Sequence, residues 1–278
     1  MLAAVKKGNA QKVAELMRQD PDFNVNKDQD GFGRTLLHFA CDGSRSSPVI
    51  PLLLAHPDID VNAKDKSSFT PFIWACNGHT SCVREMLKDS RVQVKESDSG
   101  GSTPLRWAAT YGHLNVIKWW IASGREMDVG KPGDWRTDAI GEAKKNGNVE
   151  VVTLLERFKK DAAKTRHAIR IELGLLDELA AEMFALVVFI SDGLLQVNET
   201  TTTTTPAARF FSIVRGLPFL KSNPKPHDVV GTQRFFRIAA QLPLELQMIL
   251  CYRVVGLNRE IISGQDSEVA FKDLAKRI

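Results

Sequence analysis

A short motif recurs along the first half of this chain at an almost constant interval. Its fullest copy lies at residues 103–124, and an alanine occupies the same place in every copy. These alanines are separated by 36, 35, 33 and 35 residues, and they are Ala4, Ala40, Ala75, Ala108 and Ala143. A period near 33 residues indicates stacked structural units, because a unit of that length cannot bury its hydrophobic face alone.

Each copy carries the local signals of two short helices joined by a turn. Thr70 and Pro71 fit a helix start, since the threonine side chain can cap the helix and proline is tolerated at the first helical position. Gly78 and Gly112 fit the turn, where a left-handed backbone conformation favours glycine. The pattern predicts an all-α fold in which the alanines let neighbouring helices approach closely.

These residues resemble the ankyrin-repeat family, whose pattern is a hairpin with Asp and Gly, then Thr-Pro-Leu-His, Ala-Ala, Gly-His and an outer helix. The resemblance implies a solenoid of about five helix-turn-helix repeats over residues 1–158 and a non-catalytic protein-binding function. The third copy matches the pattern at Asp98, Gly101, Thr103, Pro104, Leu105, Ala108, Ala109, Gly112, His113, Val116 and Ile117.

Several positions depart from the family pattern. Leu36 replaces the proline of one repeat, and Ile73 and Arg106 replace the histidine of two others. The last repeat has Asp138-Ala139 where Thr-Pro belongs. His38 keeps the family histidine, whose role is to tie loops together.

The resemblance also implies where a partner would bind, namely the concave face made by hairpin tips and inner-helix ends. Large aromatic residues and arginine dominate interface energetics, so Phe32, Arg34, Phe69, Tyr111 and Trp135 are the expected hot spots. For Phe69→Ala and Trp135→Ala, weaker binding with a nearly unchanged Tm is expected. The full set of candidate contact residues is Phe32, Arg34, Asp42, Lys66, Ser67, Phe69, Asn77, Ser99, Ser102, Thr110, Tyr111, Trp135 and Arg136.

Phe39, Trp74 and Trp107 occupy one position in successive inner helices. Such a ladder could grip a ligand, or it could form the seam between repeats, where each aromatic ring buries ~150 to 250 Å². The seam is the simpler interpretation.

Catalytic, metal and cofactor sites are not predicted. Cys76, His79 and Cys82 have a spacing that suggests a metal, but a fourth ligand is missing and His79 matches the turn histidine of the family. The common signatures of hydrolases, nucleotide-binding enzymes and metalloproteases are missing from the sequence. We therefore expect no enzyme and no cofactor.

Charge and hydropathy exclude two further classes. The net charge of +4 is spread along the chain, so no nucleic-acid partner is predicted. The apolar run at 180–197 is interrupted by Glu182 and Asp192, which argues against a membrane span. Without a signal peptide, the expected location is the cytoplasm or nucleus.

Beyond the repeats the period is lost. Residues 159–197 are predicted to form a long apolar helical segment that packs on the last repeat, residues 198–206 a Thr-rich linker, and residues 207–278 a helical C-terminal region. Within the last region, one segment resembles the opening of an F-box and would bind a ubiquitin-ligase adaptor. A SOCS box and a simple proline-started helix remain alternatives. The residues concerned are Leu242, Pro243, Glu245, Leu246, Ile249 and Leu250.

Overall fold

The computed structural model describes residues 1–20, 23–27, 29–191, 239–254, 262 and 264–277. The chain divides into two compact units, Met1–Ile169 and Arg170–Ile278. Throughout the described residues the regular secondary structure is helical, as the repeat pattern predicts.

The first unit contains five consecutive helix pairs, each with a short inner helix, a turn and an outer helix. A 3-10 helix, Ser44–Val49, precedes the outer helix of the second pair. Helix α11 (Ala162–Glu172) follows the fifth pair. The pairs are α1 (Leu2–Lys6) with α2 (Ala10–Gln19), α3 (Leu36–Cys41) with α4 (Ile50–Leu54), α5 (Pro71–Cys76) with α6 (Thr80–Lys88), α7 (Pro104–Thr110) with α8 (Leu114–Ser123), and α9 (Ala139–Lys145) with α10 (Val149–Lys160).

The inner helices begin where the capping pattern predicts. The Thr70 hydroxyl accepts a hydrogen bond from the Ile73 backbone N–H at 3.3 Å. In the fifth pair, Asp138 stands at the threonine position, and its carboxylate accepts from the Gly141 backbone N–H at 2.7 Å. Because aspartate is as good an N-cap as threonine, this departure from the family pattern preserves the helix start.

The repeated alanines lie where successive inner helices meet. Helix α3 contacts α5, α5 contacts α7, and α7 contacts α9. A small side chain at these contacts lets the helices approach closely, and a larger one would force them apart. The alanines concerned, Ala40, Ala75, Ala108 and Ala143, are all fully buried.

The turns between the helices also stack. Gly112 has a φ of +71°, and a Cβ on it would lie 2.7 Å from Asn148 Oδ1. Asn148 sits at the next turn, and its Nδ2 donates to the carbonyls of Ala109 and Thr110 at 2.9 Å each. Glycine is required at this turn both for its left-handed conformation and for this close approach.

Arginine side chains bind the carbonyls that end the preceding outer helix. Arg91 Nη2 donates to the Leu54 carbonyl at 2.6 Å. Arg125 donates to the carbonyl of Asp89, the C-cap of α6, at 2.7 Å, and to that of Val92 in the loop that follows at 2.5 Å. Since the last carbonyls of a helix have no partner within the helix, each guanidinium also links one pair to the next.

Replacement of Arg125 by methionine should therefore destabilise the first unit. Methionine keeps the aliphatic stem and removes charge-assisted bonds that typically contribute ~1.5 to 3 kcal/mol. We expect a loss of that size in the free energy of unfolding, measured by chemical denaturation. Arg45→Met is the control, because Arg45 is exposed; equal losses in both variants would contradict the prediction.

The second unit contains α12 (Leu175–Ser191), α13 (Leu244–Val254) and α14 (Gly264–Arg277). Within it, Met183, Phe184 and Val187 of α12 share one buried cluster with Cys251 and Tyr252 of α13. The first unit extends to Ile169, beyond the predicted boundary at 158. In the predicted segment 159–197, the described residues 159–191 contain α11 and α12, which are separated near Gly174. The predicted linker at 198–206 lies outside the described residues.

Candidate functional site

One series of side chains runs from the second helix pair to the fourth, each contacting the next. We call this series the aromatic ladder. Arg34 Cζ lies 4.8 Å from the Phe39 ring centroid and 5.5 Å from that of Trp74. The Phe69 ring lies 6.0 Å from Trp74 and 5.4 Å from Trp107, and Tyr111 stacks on Trp107 at 5.8 Å with an interplanar angle of 15°. The members, in order, are Phe39, Arg34, Trp74, Phe69, Trp107 and Tyr111.

In the second and third repeats, the residue before the capping threonine fills the gap between successive inner-helix rings. Arg34 precedes Thr35 and fills the gap between Phe39 and Trp74. Phe69 stands at the equivalent place in the next repeat and fills the gap between the two tryptophans. The ladder therefore alternates between hairpin and helix residues, which the sequence did not indicate.

The two tryptophans are held by aspartates of their own hairpins. Trp74 Nε1 donates to Asp65 Oδ2 at 3.2 Å, and Trp107 Nε1 donates to Asp98 Oδ2 at 2.8 Å. The other carboxylate oxygen of Asp98 accepts two backbone N–H groups, at 2.8 and 2.9 Å. These bonds fix the orientation of both indole rings before any partner arrives.

In the second repeat the hairpin aspartate has a different partner. The Phe39 side chain has no N–H to donate, and Asp30 instead accepts from Arg34 Nε at 2.5 Å. Lys6 of the first pair lies over the Phe39 ring with its Nζ 4.4 Å from the centroid. The guanidinium thus takes the place of the indole N–H as partner of the hairpin aspartate.

The ladder is buried at one end and open at the other. Phe39 is 7% exposed, the tryptophans are half-buried, and Tyr111 is 57% exposed. The seam interpretation therefore describes Phe39, whereas Tyr111 presents an accessible ring supported by Trp107. Two further exposed aromatic side chains lie on hairpin tips, Phe32 at 63% and Trp135 at 59%.

His38 ties its own helix to the next hairpin. The Thr35 backbone N–H donates to His38 Nδ1 at 3.0 Å, so Nε2 carries the proton and donates to the Phe69 carbonyl at 3.0 Å. Burial lowers the pKa of His38, and the carbonyl bond and the Asp65 charge only partly oppose it. The neutral imidazole is therefore the form that the fold requires.

This arrangement predicts a pH-dependent stability. Because the folded pKa of His38 lies below its ordinary value of about 6.5, its contribution is complete above pH ~6.5 and is lost as the pH falls below it. We expect the free energy of unfolding to fall between pH 7.5 and 5.5, and to fall less in His38→Gln. His113, whose pKa burial also lowers, should maintain part of the slope; identical slopes in both proteins would contradict the role of His38.

The structure sorts the predicted contact residues by accessibility. Ser102 is 6% exposed, its N–H donates to Asp98 Oδ1, and its hydroxyl accepts from Arg106 Nη1 at 3.4 Å. It does not offer the accessible side chain that a contact residue needs. Arg34, Phe69 and Thr110 are half-buried, and the exposed residues are Phe32, Asp42, Lys66, Ser67, Asn77, Ser99, Tyr111, Trp135 and Arg136.

The structure also changes the expectation for the stability of Phe69→Ala. Its ring packs between Trp74 and Trp107, and its carbonyl accepts from His38. Phe69→Ala should therefore lower the Tm as well as any affinity, contrary to the sequence-based expectation. Truncation of a packed aromatic ring also leaves a cavity.

Trp74 and Trp107 were missing from the predicted contact residues. Their equal spacing from Asp65 and Asp98, nine residues in both repeats, is the signal that could have revealed them. An aspartate at that distance from a tryptophan in two successive repeats suggests that the hairpin holds the indole N–H and so fixes the orientation of the ring.

The clustered cysteines carry protonated thiols. Cys82 Sγ donates to the carbonyls of Ala40 and Gly43 at 3.5 and 3.4 Å. Burial raises the pKa of Cys82 to about 11 and those of Cys41 and Cys76 well above their ordinary value. Metals and electrophiles react with the thiolate, so these side chains are suited to packing.

In the second unit, Pro243 immediately precedes α13. Leu246 is 48% exposed, and Leu242, Ile249 and Leu250 are half-buried. Gln247 Nε2 donates to the Leu242 carbonyl at 2.8 Å, which closes the first turn. The side chain of Glu245 lies outside the described part of the chain.

The family model for ankyrin repeats in three copies matches residues 1–98 and 49–131. Residues 1–131 contain ankyrin repeats. Such arrays are protein-interaction modules, which bind partners on the extended surfaces created by stacking.

Relatives match this chain over only part of their own length. The human SMC5-SMC6 complex localization factor protein 1 is 29% identical over 183 residues, which are 60% of this chain and 17% of that protein. A putative ankyrin repeat protein of Rickettsia bellii is 37% identical over 90 residues, or 32% of this chain and 50% of that protein. A palmitoyltransferase AKR1 of Lachancea kluyveri is 32% identical over 126 residues, or 45% of this chain and 17% of that protein.

Among the described residues, no helix combines the length and the hydrophobicity that crossing a bilayer requires.

Proposed function

We propose that this chain binds another protein, without catalysis or a cofactor, on the ankyrin face formed by the open end of the aromatic ladder and the hairpin tips. We infer that this is the concave face, and that the pair α9 and α10, beyond the matched residues 1–131, is a fifth repeat. No nucleic acid or membrane is required as a partner.

One observation carries the proposal. Tyr111 is more than half exposed and lies flat on Trp107, whose N–H is bound to Asp98. Binding free energy is what remains after the entropic cost of ordering the interface side chains. Because these two rings are already ordered in the free protein, that cost is reduced. Tyr and Trp are also the residues that dominate hot spots.

The relatives support an adaptor role. The human relative is named as a localization factor of the SMC5-SMC6 complex, and we propose that this chain likewise recruits a protein partner. That name favours the nucleus over the cytoplasm as its location. The L. kluyveri palmitoyltransferase matches over 126 residues, fewer than the 183 residues matched in the human relative. Because the match covers 17% of that enzyme, we keep the non-catalytic proposal.

Affinity capture with the full chain tests this function. We expect one protein or complex to be retained by the native chain and lost with the double variant Tyr111→Ala, Trp135→Ala. Val149→Ala is the matched control, because Val149 is a 71% exposed apolar residue at the start of the outer helix α10. Equal capture by all three proteins would reject this face as the binding surface.

A second function, substrate receptor of a ubiquitin ligase, is favoured by one observation only. Leu244 and Leu246 are 53% and 48% exposed beside Pro243, so apolar side chains of the F-box-like segment are available to an adaptor. Leu246→Asp should abolish adaptor capture while leaving capture through the ankyrin face intact. If the native chain captures no adaptor, this proposal is rejected.

A further inference from the structure

Arg106 makes three polar contacts from the third position of α7. Its Nε donates to the Trp135 carbonyl at 2.7 Å, and its Nη1 donates to Ser102 Oγ at 3.4 Å. Its Nη2 lies 3.5 Å from Glu142 Oε2, and both side chains of this pair are about 15% exposed. The guanidinium is therefore held in one orientation, with its Nε directed at the loop before α9.

The equivalent residue in α3 also binds a carbonyl of the following hairpin. His38 also occupies the third helical position, and its Nε2 donates to the Phe69 carbonyl of the following hairpin. Ile73, at this position in α5, is apolar and buried. The replacement of histidine by Arg106 thus preserves a tie to the following hairpin. The arginine binds the carbonyl three residues before the N-cap Asp138, whereas His38 binds the carbonyl one residue before the N-cap Thr70.

The earlier hairpins are joined by main-chain bonds. Lys66 N donates to the Phe32 carbonyl at 2.9 Å, and Ser99 N donates to the Ser67 carbonyl at 3.0 Å. The loop at residues 131–137 is tied to the fourth repeat by the Arg106 side chain. A single substitution removes a side-chain tie, whereas among the substitutions only proline removes a main-chain N–H donor.

Arg136 completes the support of Trp135. Its guanidinium lies 4.9 Å from the Trp135 ring centroid. Its Cδ would be 2.9 Å from a Cβ on Gly101, so the absence of a side chain there leaves room for it. The exposed indole is therefore placed by Arg106 through its carbonyl and by Arg136 through its ring.

We propose that Arg106 is a positioning residue that holds the 131–137 loop and so sets where Trp135 meets a partner. This inference rests on the proposed function for its biological meaning. The position of the loop itself can be measured on the free chain.

Hydrogen exchange on the full chain tests the inference. Arg106→Met would leave the half-buried Glu142 with its 3.8 Å ion pair to Lys145 but without the guanidinium, so the double variant Arg106→Met, Glu142→Gln is compared with the native chain. Amides of residues 131–137 should exchange about tenfold faster or more, since a charged hydrogen bond contributes at least that factor. Amides of α5 and α6 should be unchanged.

Arg84→Met is the matched control, because it removes a guanidinium that lies over another tryptophan, Trp119, at 4.7 Å. It should leave exchange at 131–137 unchanged. Unchanged exchange of the loop in the Arg106 double variant would overturn the inference, and so would an equal rise throughout the array. The loop could exchange faster in the Arg106 double variant while Trp135→Ala leaves partner binding unchanged. That result would support the positioning role and reject only the proposed binding face.

Discussion

Replacement of Asp98 by alanine should cause one of the largest stability losses available in this chain. Asp98 is 8% exposed, and its carboxylate accepts from the N–H groups of Gly100 and Ser102 and from Trp107 Nε1. Removal of the carboxylate leaves three donors without their partner, the buried Ser102 N–H and the partly buried Gly100 N–H and Trp107 Nε1, and a buried unsatisfied donor costs ~1 to 3 kcal/mol. We expect a loss of about 3 kcal/mol or more in the free energy of unfolding.

Chemical denaturation monitored by circular dichroism would measure this loss. Ser99→Ala in the same hairpin is the control, because Ser99 is exposed and its backbone bond to Ser67 is kept. A loss below ~1 kcal/mol in Asp98→Ala would show that water replaces the carboxylate. It would contradict the conclusion that the hairpin aspartate orients Trp107.

Tyr111→Ala should produce the largest loss of affinity at little cost in stability. Hot-spot aromatic residues contribute ~2 kcal/mol or more, so we expect Kd for the captured partner to rise about thirtyfold. The ring is 57% exposed and contacts Trp107 and His113, so the free energy of unfolding should change by less than ~1 kcal/mol.

Isothermal titration calorimetry with the purified partner gives the first quantity, and denaturation gives the second. Tyr111→Phe is the matched variant, because it keeps the ring that stacks on Trp107 and removes only the hydroxyl. It should retain most of the affinity. An unchanged Kd in Tyr111→Ala would place the partner elsewhere on the array.

The capping signals were sufficient to locate the inner helices. Thr70 and Asp138 act on N–H groups three residues away in the chain, so the residues that make these contacts are read directly from a short segment. The same holds for the turn glycines, whose positive φ is a local property. The role of His38 in tying loops followed from the family resemblance, and the bond to the Phe69 carbonyl fits it.

The candidate site was less accessible to prediction because its contacts join different repeats. Ser102 precedes a capping threonine, as Arg34 and Phe69 do, yet it is buried by Asp98 and Arg106. The same sequence position holds a cation, an aromatic ring and a hydroxyl in three successive repeats. How far each of them is buried depends on the neighbour that it contacts.

The sequence by itself determined the repeat period, the helix starts, the turns and the buried alanines, since each depends on residues close together in the chain. Only the tertiary structure decided that the ladder joins Arg34 to Trp74 and Phe69 to Trp107, and that Arg106 replaces a histidine as a tie to the next hairpin. The physical reason is that these contacts span about one repeat of chain, and their geometry exists only once the repeats are stacked.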